Sequence, residues 1–222
     1  MNDKTAKNSL PTTLLRVAWL SILLGIGMEF LLLAAGQFFA HDTNMKVIVA
    51  DLVQKISWST FVCTGVALGL AAGKMRAPTM GIAGLIAAPV AFFVAKTLHK
   101  SASQALAIAG QVSTGGPAPL VLVCIKALEY AVLGFLIGRL GKRSSASLKE
   151  HIFYGVLIGV VFGGTIVTLM ITQATPDPLP LFTIITRCIN EIVFPVGCSF
   201  VLYTAQKLGE KSAKADVETD AA

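Results

Sequence analysis

Eight ionisable residues stand inside long apolar stretches of the sequence: Glu29, Asp51, Lys55, Lys96, Lys126, Glu129, Arg187 and Glu191. Half are acidic and half basic, so their formal charges cancel. Asp51 and Lys55, like Arg187 and Glu191, are spaced i,i+4, and Lys126 and Glu129 are i,i+3, so on helices each couple shares one face. An unpaired charge at the centre of a bilayer costs about 2.5 to 3.5 kcal/mol on insertion scales. Such groups must meet one another or water, not lipid. Gathered around one axis, Lys55, Lys126 and Arg187 would attract an anionic group, while Glu29, Glu129 and Glu191 would balance them and carry protons. Asn190, Gln54, Gln37 and Tyr130 would add hydrogen bonds beside them.

The elements that must position these groups follow from composition. The chain has 222 residues, 55% hydrophobic and 14% charged, with a mean hydropathy of +0.74. That is more apolar surface than one soluble core covers, and it defines an all-α integral membrane class. A hydrocarbon core of about 30 Å needs roughly 20 helical residues. Six stretches are long enough, at 14–40, 47–73, 77–98, 118–140, 151–173 and 180–206. The expected architecture is a six-helix transmembrane bundle over residues 13–207, flanked by disordered tails at 1–12 and 208–222.

Lys and Arg beside short loops resist translocation, so their placement sets orientation. Twelve fall at the two termini and the second and fourth connections, whereas Lys46 and Lys100 alone lie on the opposite side. Both termini are therefore expected in the cytoplasm, and the chain in a bacterial-type inner membrane. The net charge of +6 reads as this topology signal, with a milder attraction to anionic lipid and no nucleic-acid partner. The first apolar run begins like a secretory signal after Lys4 and Lys7, but its length and Glu29 argue against cleavage.

A repeat organises the pattern. The second, fourth and sixth stretches contain "QKISWSTFVCTG", "IKALEYAVLGFLIG" and "TRCINEIVFPVG". In each, a cation (Lys55, Lys126, Arg187) precedes a polar or acidic residue one turn deeper (Ser59, Glu129, Glu191), and glycine follows. This suggests three two-helix units about an axis along the membrane normal. Pro89 and Pro195 should kink the third and sixth helices. Glycines spaced by four, at 65/69/73, 134/138 and 155/159/163, indicate close helix packing within the bundle. The weakly apolar connection 99–117 reads as a surface helix and a Gly-Pro turn, with a re-entrant element as the alternative.

Other residue types exclude chemistry. Cys63, Cys124, Cys188 and Cys198 show no CxxC spacing, and small buried core residues are their expected role, although Cys124 and Cys188 share a depth at which a disulfide would be feasible. His41, His99 and His151 lie at span ends without metal-ligand spacing. Trp58, one turn from Lys55, is expected to pack on a neighbouring helix, with a cation-π contact as the other option. No metal, cofactor or enzymatic motif emerges. The expected function is a transporter or channel-like protein that moves a small solute or ion, anionic by preference, past Glu29, Asp51, Lys55, Lys126, Glu129, Arg187, Asn190 and Glu191. The competing expectation is a scaffold or accessory subunit, whose charges only hold the helices together and whose glycine faces bind a second copy or another membrane protein.

Overall fold

The computed structural model describes residues 3–39, 44–108, 117–141, 146–174 and 178–220, and all regular structure among them is helical. Helix α1 spans Asp3–Phe38, α2 Met45–Leu68, α3 Arg76–Ala105 and α4 Pro119–Leu140. A 3₁₀ turn, Gly69–Met75, joins α2 to α3. The fifth rod consists of α5 (Leu148–Ile158), a π turn (Gly159–Gly163) and α6 (Gly164–Gln173), and α7 covers Leu181–Asp220. Among the described residues six helical stretches are long and apolar enough to cross a membrane, with mean hydropathies from 1.3 to 2.2, as a multi-pass membrane protein requires.

Local sequence explains several boundaries. Asn44 caps α2 by accepting a hydrogen bond from the Lys46 backbone N–H at 2.9 Å, and Pro119 opens α4, where no backbone donor is needed. Ser147 and Glu150 form a reciprocal capping box that starts α5.

The third helix is longer than expected. Helix α3 continues to Ala105 and so absorbs the first part of the 99–117 connection, ending where Ala107 turns left-handed at φ 51°. A re-entrant element would fall on residues 109–116, which lie outside the described residues. Helical backbone also runs from Asp3 and on to Asp220. The last segment is rich in Ala, Lys and Glu and extends a helix already nucleated, so propagation proceeds without a new nucleus.

Consecutive helices pack side by side through α1, α2, α3 and α4, while α7 contacts both the fifth rod and α1. Helix α4 meets α7 sparsely. The glycines serve this packing. A Cβ at Gly84 would lie 2.1 Å from the Tyr130 carbonyl oxygen, and one at Gly134 would lie 2.3 Å from that of Met80. Backbone therefore touches backbone across α3 and α4. The fully buried core includes Val62, Val66, Met80, Leu133, Ile137 and Leu202. It fills the half of the bundle away from the starts of α2, α4 and α7.

A charge-lined cavity between the helices

Toward the end where α2, α4 and α7 begin, the bundle opens into a cavity of about 530 Å³. Its walls come from α1, α2, α3, α4, α6 and α7, and they include Glu29, Asp51, Lys55, Lys126, Arg187 and Glu191. Asn190, Gln54 and Thr186 add neutral polar groups, and Trp58 and Phe194 lie at its deep end. Beyond them lies the buried apolar core.

Two ion clusters occupy the inner wall. Lys126 on α4 holds Glu129 at 2.7 Å on its own helix and Glu191 at 2.6 Å on α7. The Glu129 side chain is 0% exposed and that of Glu191 is 11% exposed, so the first is sealed and the second borders the cavity. Glu129 turns Oε2 to the ammonium, while its buried Oε1 has no hydrogen-bond partner. In the second cluster Lys55 on α2 lies 2.6 Å from Glu29 on α1 and only 3.9 Å from Asp51. Asp51 is bound by His99 of α3 at 3.0 Å.

These geometries revise the local pairing expected from spacing. The i,i+3 couple Lys126 and Glu129 forms, and Asp51 and Lys55 approach weakly. Arg187 and Glu191 do not pair: Glu191 turns to Lys126, and Arg187 is exposed on the cavity wall without an ion pair among the described residues. The cause is depth. Glu191 borders the nearly buried ammonium of α4, where Coulomb attraction is less screened than beside an exposed guanidinium. Lys96, counted with the buried charges by sequence, is exposed and lies 5.9 Å from the Phe92 ring centroid. Asn190 lines the cavity, and its buried Oδ1 lacks a hydrogen-bond partner.

Four carboxylates thus stand with three cations at this end of the bundle. His99 was not among the expected site residues. It lies 48 positions from Asp51, so no spacing rule joins them.

Aromatic rings back the Lys126 cluster. The Lys126 ammonium is 5.9 Å from the ring centroids of both Trp58 and Tyr130, which meet each other edge-on at 5.9 Å. The packing of Trp58 on a neighbouring helix therefore holds, whereas the cation beside its ring is Lys126 of α4 and not its neighbour Lys55. Ser59, one turn below Lys55, donates to the Ser21 carbonyl at 2.7 Å and ties α2 to α1. Cys63, Cys124, Cys188 and Cys198 are all free thiols, Cys63 and Cys198 buried in the core, so the Cys124–Cys188 disulfide is not formed.

Helix α7 runs on through Pro195, as α3 does through Pro89. Pro195 lacks the N–H that would bond the Glu191 carbonyl one turn earlier. The π turn Gly159–Gly163 packs here, where a Cβ on Gly163 would lie 2.8 Å from that carbonyl oxygen. The π turn and the turn that Pro195 deprives of a donor therefore meet at Glu191, which closes the Lys126 cluster. No family model, curated protein or solved structure matches the chain.

Proposed function

We propose that this protein is a multi-pass transporter or channel-like protein of a bacterial-type inner membrane, with both termini in the cytoplasm, which moves a small solute or ion through the charge-lined cavity. The observation that carries the reading is the placement of six ionisable side chains around a cavity of about 530 Å³ inside helices of membrane-spanning length. Charges at such depth are costly to retain without a role or a partner. A cavity toward one end of the bundle, with the apolar core beyond it, is compatible with one state of an alternating cycle.

The repeat belongs to the same proposal. Lys55, Lys126 and Arg187, the three cations at matching positions of the even-numbered stretches, all line the one cavity. The π turn set against Pro195 is a local irregularity of the sort found at functional points of helices, and it offers a place for α7 to bend.

One observation favours the scaffold reading instead: Glu129 is fully buried and already paired, as in a closed network that only fixes helix register. Flux into liposomes separates the two. Purified protein should pass labelled solutes from a panel of small anions and cations faster than protein-free liposomes do. Glu191→Gln should lower that flux at least tenfold with the amount of folded protein unchanged. Absence of flux for the whole panel, together with a stoichiometric membrane partner retained in mild detergent, would establish the scaffold.

A further inference from the structure

Resting on the transport reading, we infer that the cavity takes an organic anion, a carboxylate on an apolar ring-sized body, whose charged end binds Arg187. Size speaks first. At about 530 Å³ the space lies within the range of small-molecule pockets, roughly 300 to 1,000 Å³, and far exceeds what one inorganic ion fills.

Charge speaks next. Each lysine of the wall is engaged by a carboxylate at 2.6 or 2.7 Å, and Lys126 by two. The carboxylates are likewise engaged, Asp51 by His99 and the three glutamates by lysines. Arg187 differs, because it is exposed on the wall and forms no ion pair among the described residues. A guanidinium offers two parallel N–H donors that match a carboxylate. Thr186 and Asn190 lie beside it on the same wall.

The remaining wall gives the body of the solute. Trp58, Phe92, Phe182 and Phe194 line the same space, together with Leu122 and Ile166. An inorganic anion has no use for such a surface, whereas an aromatic or branched apolar group buries against it. A cationic solute would have to compete with Lys55 and Lys126 for their carboxylates.

Trp58 makes the assignment testable, since Trp19 is the other tryptophan of the chain and lies exposed on α1. In Trp19→Phe protein, Trp58 fluorescence reports the cavity. Three quenchers of similar size and different charge are titrated in neutral detergent: 4-nitrobenzoate, 4-nitrobenzamide and 4-nitrobenzylamine. The benzoate should quench saturably, at least ten times more tightly than the other two. Arg187→Gln should weaken it at least about tenfold, the loss expected for hydrogen bonds to a charged group. Chloride and phosphate should not displace it. Tighter binding of the benzylamine, equal displacement by inorganic anions, or benzoate binding unchanged in Arg187→Gln would overturn the assignment. Displacement by anionic phospholipid added to the micelle as readily as by free benzoate would assign the charge to a lipid head and overturn the soluble anion. Benzoate binding without flux in liposomes would uphold this inference and remove transport. Flux without benzoate binding would do the reverse.

Discussion

Lys126 on α4 stands 2.6 Å from Glu191 on α7, and the contact joins two helices that otherwise meet sparsely. Because Glu129 approaches the same ammonium at 2.7 Å, one cation is shared by two carboxylates, one from α4 and one from α7. The site and the seam of the bundle therefore depend on the same side chain.

Removing that side chain should expose the debt between its partners. Lys126→Met leaves Glu129 and Glu191 buried without a counter-charge, and breaking a buried pair in this way costs about 3–5 kcal/mol. The thermal midpoint in detergent should fall sharply, with less folded protein recovered. Adding Glu129→Gln and Glu191→Gln to Lys126→Met should restore most of the loss. A triple variant no more stable than the single one would show that the cluster does not act through charge balance.

The two partners of Lys55 should differ. Glu29 is buried with its oxygen 2.6 Å from the ammonium, whereas Asp51 is 3.9 Å away with a side chain 37% exposed. Solvent screens the second contact, so Asp51→Asn should cost under about 1 kcal/mol. Glu29→Gln should cost several times more, because it strands a buried Lys55. Equal shifts in the unfolding midpoint would contradict this ranking.

Two glycines provide a packing test. A methyl group at Gly84 would collide with the Tyr130 carbonyl at 2.1 Å, where the obstacle is backbone and cannot rotate away. Gly84→Ala should therefore separate α3 from α4 and cost about 1–3 kcal/mol. Gly27 faces open space, and Gly27→Ala should be neutral or slightly stabilising through helix propensity. Thermal unfolding of the two variants, compared side by side, checks the order.

Much of this was legible in the residues themselves. Six helices followed from apolar run length, and Lys126 with Glu129 followed from a three-residue spacing on one helix. Contacts between helices were not legible, because they depend on axial register and rotation, which no single segment encodes. Glu29 reaches Lys55, and His99 reaches Asp51, across different helices, although neither couple shares a local signal. Arg187 and Glu191 show the opposite error: correct spacing for a pair, overruled by a better-buried partner on α4. Glycines at 155, 159 and 163 announced close packing within the bundle, but the same spacing also suits an ordinary helix, so neither α7 as the partner nor the π turn could be read from it.

The central claim is that solute passes through the cavity beside Arg187, and blocking that cavity tests it most directly. Thr186 lines the wall, so Thr186→Cys can be placed in a chain carrying Cys124→Ser and Cys188→Ser, with Cys63 and Cys198 left buried. Liposome flux is measured before and after a charged methanethiosulfonate reagent, and again after reduction. Flux should fall at least tenfold on labelling and return when the thiol is freed, with the Thr186 parent chain unaffected. Full labelling of the new cysteine with flux unchanged would contradict passage through this cavity.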